Sequence, residues 1–491
     1  MLCVILVSAF HLVTIRDGQD WGDDFSQYIH HAENLARGQP YAETGYIYNP
    51  HNPAVGPRAY PPGFPVLLAP IVSVFGRALR PMQVFIVATL AASLLLVLRL
   101  FGGVLPSPYL EALVLLVGLS PVVWEFKDLV LSDLPFLCFV AASLACFSQL
   151  RRPGVSGGLA GLLAYAAYTT RVLGAVLVPT FLAHELLRYR RIGVRAAAAC
   201  GVLVVLAAAQ HLMWRGGEGS YFDQLAVTPA VLGRNLIAYT RSLSDLWANG
   251  YVEAARKALF LAATGIAVWG YAKAVRAGAA WPEVFPLLYV TPVILWPSYQ
   301  GVRFLIPVIP FYFFYCLVGS RQLDAAIHRR WGRQRVAFKG LLVAAAVTYG
   351  CQYSTVRFGS FPTGVARPES VEFFDFVKSA TDSNAVVVFS KPRALALYTG
   401  RRASAPYSPR DPCDLWRYFA EIGASYVATG PHEPHVDVAY LDRFVDRYRA
   451  DLRPVWQGRD LAVYRIERNP CEPPTGSDQR GSGSSRIQMF R

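Results

Sequence analysis

Residues 81–102 read PMQVFIVATLAASLLLVLRLFG and contain a single charged side chain, Arg99, close to the end of the stretch. A helix needs roughly 20 mostly apolar residues to cross the hydrocarbon core of a membrane. This stretch meets that length, and its apolar residues leave no polar face for water. The sequence therefore predicts a transmembrane helix here.

Similar apolar stretches recur through the first 353 residues, and about eleven of them are candidates for membrane-spanning helices. They centre on residues 1–15, 81–102, 106–124, 133–150, 155–169, 172–187, 196–213, 252–272, 283–297, 303–319 and 336–353. The composition agrees, because only 16% of the 491 residues are charged where soluble proteins carry roughly 25%. We predict a polytopic α-helical membrane domain over residues 1–353, and a cytosolic enzyme is excluded.

Basic residues indicate the orientation of these helices. Basic side chains are retained on the cytoplasmic side of short loops, and the clusters at 151–152, 188–195 and 321–335 fall on one side if the N-terminus is cytoplasmic. We therefore predict a bacterial inner (plasma) membrane protein whose long first loop, 16–80, the connection near 214–251 and all residues after 354 are extracytoplasmic. The net charge of +14 then needs no nucleic-acid partner.

The first external loop is predicted to lie on the membrane surface. Residues 24–37 have helical periodicity with one apolar stripe. Residues 63–77 contain too few apolar residues to span a membrane. Both segments are typical of interfacial helices.

After residue 354 the sequence is that of an ordinary α/β domain. Helices are predicted near 368–380 and 411–423, and strands near 386–389, 425–429 and 461–466. We assign a small extracytoplasmic α/β domain with a mixed sheet to residues 354–471, and a Gly/Ser-rich disordered tail to 472–491. Cys413 and Cys471 are the cysteines in clearly water-soluble sequence, so they could form a disulfide.

Two acidic segments of the predicted external loops could carry chemistry. The adjacent Asp23 and Asp24 could supply a general base, or one of them could cap the helix that follows. Asp133, six residues after Lys127, could hold an acceptor or a divalent metal, but Ser132 or Asp133 before Pro135 is also a good helix start.

Arginines on the external side form a second set of candidates. Arg58 and Tyr60 lie in a proline-rich turn that could bind a phosphate-headed lipid or could simply be structural. Arg171, and Arg303 with the nearby Tyr299, lie at outer ends of spans, against the general distribution of basic residues. An anionic ligand would explain both arginines, and so would snorkelling to lipid headgroups.

Several segments, taken in order, resemble the GT-C superfamily of membrane glycosyltransferases: GDDFSQYIHHAENLARGQPY (22–41), AYPPGFPVLLAP (59–70), LSDLPF (131–136) and RFLIPVIP (303–310). The chain is similar to bacterial relatives of the protein O-mannosyltransferases and of the lipid A aminoarabinose transferases. The resemblance implies transfer of a hexose or pentose, with inversion, from a polyprenyl-phosphate donor. The acceptor would be a glycan, lipid or protein on the periplasmic face.

The resemblance also implies roles for individual residues. Asp24 would be the catalytic base, with Asp23 as the alternative and Asp133 as the second external acid. Donor phosphate would be bound by Arg58, Tyr60, Arg171 and Arg303. The acceptor or the site would be supported by Tyr28, His31, Lys127 and Tyr299. No nucleotide-binding loop is needed, no cofactor is firmly implied, and a divalent metal is possible.

Two other functions are compatible with the same composition. A transporter or flippase of lipid-linked sugars would tend to have broken helices or polar groups at mid-membrane depth, or a repeat between its halves. Neither is clear in this sequence. A membrane scaffold without catalysis would use the acidic residues only as helix caps.

Overall fold

The computed structural model describes residues 1–213, 228–297, 299–332, 334–432 and 438–471. Within these ranges the helices of the first 353 residues are α1 (Leu2–Val13), α2 (Asp24–Arg37), α3 (Gly63–Phe75), α4 (Leu79–Phe101), α5 (Tyr109–Gly118), α6 (Pro121–Phe126), α7 (Asp133–Gln149), α8 (Pro153–Thr170), α9 (Leu177–Tyr189), α10 (Val194–Met213), α11 (Pro229–Ser244), α12 (Glu253–Gly278), α13 (Trp281–Leu295), α14 (Ile309–Trp331) and α15 (Val336–Tyr353). Short 3-10 helices precede α3, α9, α12 and α14 at Pro53–Val55, Val172–Val176, Asp245–Trp247 and Val302–Val308. The predicted disordered tail, 472–491, lies outside the described residues.

Among the described residues, five helical segments are long and apolar enough to cross a membrane: Leu79–Phe101, Val172–Tyr189, Val194–Leu212, Glu253–Gly278 and Val302–Trp331. Shorter apolar helices accompany them at Leu2–Val13, Gly63–Phe75, Tyr109–Gly118, Asp133–Gln149 and Trp281–Leu295. These helices indicate a multi-pass membrane protein. The count of eleven spans, and the orientation, stay predictions.

Two segments differ from their sequence-based interpretation. The predicted span 106–124 is two helices, α5 and α6, because Pro121 starts a new helix instead of continuing the first. The described part of the predicted connection 214–251 contains α11, whose first turn is stabilised by Thr228 accepting a hydrogen bond from the Val231 amide. The predicted helices 24–37 and 63–77 correspond to α2 and α3.

The α/β part is built around one six-stranded sheet of order β1-β3-β2-β4-β6-β5. Its strands are β1 (Tyr46–Ile47), β2 (Val386–Val388), β3 (Arg402–Ser404), β4 (Ala424–Thr429), β5 (Leu452–Gln457) and β6 (Ala462–Ile466), and its helices are α16 (Pro368–Ala380), α17 (Pro392–Thr399), α18 (Pro412–Ile422) and α19 (Ala439–Arg447). Strands β1 to β4 are parallel, whereas β6 pairs antiparallel with both β4 and β5, so the sheet is mixed. Cys413 and Cys471 form a disulfide.

The sheet is not confined to residues 354–471, because β1 comes from the first loop and pairs with β3. The two parts also share a hydrophobic cluster, in which Trp21 packs against Phe374 and Phe389 with ring centroids 5.8 Å and 6.1 Å away. Helix α17 packs against α2. This packing brings the start of α17 to the start of α2, where the candidate site lies.

Candidate active site

Asp24, at the first position of α2, opens onto a cavity of about 680 Å³ that includes open solvent. Charged and aromatic side chains line it, among them Asp24, Tyr28, Tyr60, Arg171, Trp296 and Arg303. The elements that meet here are α2, the proline-rich turn before α3, the end of α8 and the 3-10 helix Val302–Val308. A carboxylate and two guanidinium groups therefore face one cavity.

The carboxylate of Asp24 is held on both oxygens. Oδ1 accepts hydrogen bonds from the Tyr60 hydroxyl at 2.6 Å and from Nη1 of Arg393 at 3.3 Å, while Oδ2 accepts one from Nη1 of Arg303 at 2.9 Å. Burial alone would raise the pKa of Asp24, but the two guanidinium groups and the hydroxyl outweigh it. The pKa of Asp24 is held well below its usual range.

Arg303 lies between Asp24 and the second acid, Asp133. Its Nε lies 3.5 Å from Oδ1 of Asp133, and the same oxygen accepts a hydrogen bond from Arg171. Oδ2 of Asp133 is buried and has no hydrogen-bond partner within the described part of the chain. Arg171 and Arg303 thus lie between the cavity and Asp133, which pairs with both of them without lining the cavity, and the guanidinium groups provide more donors than the acids use.

Asp23 does not share this environment. Its Oδ1 accepts hydrogen bonds from the backbone amides of Arg393 at 3.1 Å and Ala394 at 3.0 Å, in the first turn of α17. Burial raises the pKa of Asp23 despite the neighbouring Arg393 and Lys391. The two adjacent acids therefore point to different parts of the molecule, with only Asp24 on the cavity.

Arg393 is the principal residue that the sequence analysis missed. Its side chain is 1% exposed, its Nη1 donates to Tyr60 as well as to Asp24, and its Nη2 donates to the Val55 carbonyl at 2.5 Å. One signal was present in the sequence. A basic residue in the first turn of a helix opposes the helix dipole, so an arginine just after Pro392 needs an acidic partner elsewhere.

Gly56 makes room for this arginine. Its φ is +105°, and a Cβ added there would lie 2.9 Å from Nη2 of Arg393. Backbone strain of this kind costs about 1–3 kcal/mol, so we expect Gly56→Ala to lower both thermal stability and the activity proposed below. Gly103→Ala is the matched control, since nothing lies within 4 Å of its added Cβ. Equal behaviour of the two variants in thermal unfolding would contradict the close packing.

Tyr28 and His31 belong to the site at different depths. Tyr28 lines the cavity, and its hydroxyl is 3.0 Å from Oγ of Ser132. His31 lies behind it, where Nε2 accepts the Tyr60 amide at 3.2 Å and Nδ1 donates to the Tyr41 carbonyl at 2.7 Å. Burial lowers the pKa of His31 to about 3. Neutral His31 thus fixes the backbone of Tyr60 rather than reaching the cavity.

Arg58 and Tyr299 do not line this cavity. Nε of Arg58 donates to the Ala42 carbonyl at 3.2 Å, and the residue lines a separate open cavity of about 1570 Å³ beside β1. The Tyr299 hydroxyl is hydrogen-bonded to Ser242, and its ring packs on Tyr239 at 5.1 Å. Tyr60, Arg171 and Arg303 are the predicted phosphate ligands that the structure brings together around Asp24.

Lys127 is fully buried in a different ionic cluster. Its Nζ donates to the Thr14 carbonyl at 2.7 Å and to Oδ2 of Asp128 at 2.6 Å, and Arg16 pairs with the same carboxylate. Burial lowers the pKa of Lys127 to about 8. This geometry indicates a structural role that joins α1 to the turn after α6.

Lys127→Met should therefore act on stability. Removing one partner of a buried ion network costs about 3–5 kcal/mol, so we expect a lower midpoint of thermal unfolding in detergent. The affinity for polyprenyl phosphate should stay within twofold of the wild type. A selective loss of lipid binding at unchanged stability would contradict this assignment.

A divalent metal fits this arrangement poorly. Asp24 and Asp133 are each paired with arginine, and guanidinium groups repel a cation. Within the described ranges, no group of three or more His, Cys, Asp or Glu side chains is arranged to hold a metal ion.

Comparison with solved structures places this site in a known fold. The chain is similar to the archaeal oligosaccharyltransferase AglB from Archaeoglobus fulgidus in complex with an inhibitory peptide and a dolichol-phosphate (TM-score 0.55, 12% identity, 87% of this chain and 69% of that chain). It is also similar to ArnT from Cupriavidus metallidurans bound to undecaprenyl phosphate (TM-score 0.54, 12% identity, 96% and 98%). A further similar structure is the arabinofuranosyltransferase AftD from Mycobacteria (TM-score 0.52, 13% identity). The match covers 95% of this chain but only 40% of the AftD chain.

These proteins are GT-C glycosyltransferases, and the chain has the GT-C fold, which confirms the resemblance seen in the sequence. No protein-family model matches the chain, and a search of curated proteins gives no match. At 12–13% identity the likeness describes the fold, and the function has to be argued from the site.

Proposed function

We propose that the protein is an integral-membrane inverting glycosyltransferase that moves a sugar from a polyprenyl-phosphate donor to an acceptor hydroxyl on the extracytoplasmic face. The observation that carries the proposal is the single cavity in which the carboxylate of Asp24 faces the guanidinium groups of Arg171 and Arg303. A base and an anion site at this spacing are the two parts that displacement of a phosphate leaving group requires.

In the proposed mechanism the acceptor oxygen attacks the anomeric carbon and transfers its proton to Asp24. The bond between that carbon and the phosphate oxygen breaks at the same time, so a single displacement inverts the configuration. The departing polyprenyl phosphate keeps the electron pair, and Arg303 and Arg171 stabilise its charge. A phosphate is already a good leaving group, so no strong general acid is needed.

Donor binding would also prepare the base. Before the donor arrives, Arg303 is shared between Asp24 and Asp133. A donor phosphate competes with both carboxylates for the same guanidinium group. Withdrawal of Arg303 toward phosphate weakens the interaction that holds the pKa of Asp24 down, so Asp24 becomes a stronger base when the donor is present.

An apolar groove provides room for the lipid tail. It has a volume of about 990 Å³ and runs between α11, α12, α13 and α14, with almost wholly apolar walls. Tyr239 lies in the groove, and its hydroxyl accepts a hydrogen bond from the backbone amide of Gln300, which lines the cavity at Asp24. A residue of the groove thus contacts a residue of the cavity, so a lipid tail in the groove would have its phosphate near the cavity. The lipid phosphates in the AglB and ArnT structures support this donor class.

The same proposal places the protein in the bacterial inner membrane, with a cytoplasmic N-terminus and residues 354–471 in the periplasm. The disulfide between Cys413 and Cys471 is compatible with an oxidising compartment. A flippase of lipid-linked sugars is not favoured, since the similar structures are transferases.

The direct experiment is to incubate the purified protein with a panel of polyprenyl-phosphate hexoses and pentoses and to measure released polyprenyl phosphate. Release with at least one donor, dependent on added envelope glycan, lipid or protein, is the expected result. Failure to release lipid phosphate from every donor would refute the transferase assignment.

A further inference from the structure

Arg393 is the most deeply buried charge in contact with the candidate base. Its guanidinium group lies over the rings of Tyr46 at 4.8 Å and Tyr60 at 4.7 Å, and it reaches Asp24 at 3.3 Å. Removing a guanidinium group from water is costly unless its donors are paired. Here Nη1 and Nη2 are used on Tyr60, Asp24 and the Val55 carbonyl, while Nε lies 3.8 Å from Oδ2 of Asp23 and has no hydrogen-bond partner in the described part of the chain.

The position of Arg393 is set by Asp23. The carboxylate of Asp23 accepts the backbone amides of residues 393 and 394, which are among the first-turn donors that a helix leaves unpaired. Its negative charge also offsets the helix dipole that would otherwise disfavour an arginine there. Because Asp23 precedes Asp24 directly, this anchor fixes the backbone of the base as well.

Stability alone gives no reason for a charge at this depth. Well-packed apolar side chains in place of a buried ion network are often equally stabilising, and Tyr46 and Tyr60 already provide an aromatic lining. What an apolar side chain could not do is hold Asp24 ionised and in one orientation.

We propose that Arg393 is a positioning residue of the active site, and that Asp23 is the anchor that seats it rather than a second base. The α/β part therefore supplies a buried side chain that holds the candidate base from behind the cavity. This inference rests on the proposed function for its catalytic consequence, whereas the anchoring by Asp23 can be tested without it.

The charge balance around Asp24 gives the expected pH dependence. The groups that interact with it are Arg303 from the 3-10 helix, Arg393 from α17, Tyr60 from the turn before α3 and Tyr28 from α2, while Asp23, turned toward α17, acts on it by its charge. Asp133 and Arg171 lie beyond Arg303. Loss of Arg393 removes one cation that lowers the pKa of Asp24, while the burial that raises this pKa remains. The pKa of Asp24 therefore rises, and the base becomes protonated at a higher pH than in the wild type.

The catalytic test compares Arg393→Gln, Arg393→Lys and the control Arg402→Gln, an exposed arginine of the same α/β part. We expect Arg393→Gln to lower kcat for donor turnover at least tenfold and to move the acid limb of the pH profile to higher pH, with little change in donor KM. Arg393→Lys should have a smaller effect on kcat and on the acid limb than Arg393→Gln. Arg402→Gln should change neither kcat nor the acid limb. An acid limb that does not move in Arg393→Gln would overturn the positioning role.

The anchor is tested by hydrogen exchange in the full-length protein. Asp23→Asn should accelerate exchange of the amides of residues 393 and 394, whereas Asp20→Asn, whose carboxylate accepts hydrogen bonds from neighbouring Gln19 and Gly22, should not. The double variant Asp23→Asn, Arg393→Gln should be no less active than Arg393→Gln alone. If Asp23→Asn abolished turnover with unchanged exchange in α17, Asp23 would be a catalytic base and the proposal would be wrong. If the wild type showed no turnover with any donor, the transferase function would be refuted. The hydrogen-exchange result would still show whether Asp23 anchors the first turn of α17.

Discussion

Asp24→Asn is expected to abolish sugar transfer while the protein remains at normal abundance in the membrane. Asparagine keeps the shape of the side chain but retains an acceptor oxygen at only one of the two positions to which Tyr60 and Arg303 donate, and it cannot take the acceptor proton. Loss of a general base lowers turnover by roughly 10²–10⁴-fold. Released polyprenyl phosphate, measured with the donor found active for the wild type, is the readout.

The same variant should bind the product-like ligand more tightly. In the wild type Arg303 is ion-paired with Asp24 at 2.9 Å, and a lipid phosphate must compete for it. Asp24→Asn removes this competitor and one negative charge from the cavity, so the Kd for undecaprenyl phosphate should fall several-fold. Asp20→Asn is the control, since that residue lies outside the cavity. Full activity of Asp24→Asn would remove it from the base role, and weaker phosphate binding would contradict the shared use of Arg303.

The membrane helices were predictable because their signal is local. A run such as residues 81–102 contains its own reason for being helical and apolar, and α4 occupies Leu79–Phe101. The segment 106–124 shows the limit. Its apolar content is continuous, but Pro121 divides it, and whether a proline kinks or ends a helix depends on what packs around it.

The candidate site was predictable only in part. Asp24, Asp133, Arg171 and Arg303 all lie next to recognisable helix ends, and the structure places Asp24, Arg171 and Arg303 on one cavity, with Asp133 paired to the two arginines. Arg58 was placed with them because it lies two residues before Tyr60, but its side chain turns to the far side of the loop and lines the cavity beside β1. The direction of a side chain in an irregular turn is not encoded by spacing.

Arg393 could not be paired with Asp24 from sequence, because 369 positions separate them. Their contact depends on the sheet, which the two-residue strand β1 joins to the first loop. A strand so short leaves almost no periodic signal, and its pairing is decided by tertiary packing. The role of Lys127 was missed for a related reason. Asp128 is its neighbour in sequence, but Thr14 is 113 positions away and reaches Lys127 only when α1 packs on α5.

Arg303→Gln should be the most damaging change on the donor side. Arg303 donates to Asp24 and lies 3.5 Å from Asp133, so its removal leaves two carboxylates facing the phosphate with only Arg171 and Arg393 to balance them. A hydrogen bond to a charged group is worth about 1.5–3 kcal/mol, and each 1.4 kcal/mol is tenfold in affinity. We expect donor KM to rise at least tenfold and kcat to fall as well, because the leaving charge is less stabilised.

The control is Arg234→Gln, an arginine whose exposed side chain donates to the Pro297 carbonyl and does not line the cavity. A second variant separates charge from folding. In Arg303→Gln, Asp133→Asn the unpaired carboxylate is gone, so undecaprenyl phosphate binding should recover in part although turnover does not. If Arg303→Gln alone bound undecaprenyl phosphate as tightly as the wild type, Arg303 would not be the phosphate ligand. Recovery of binding without turnover would show that this arginine is needed for the departing charge itself.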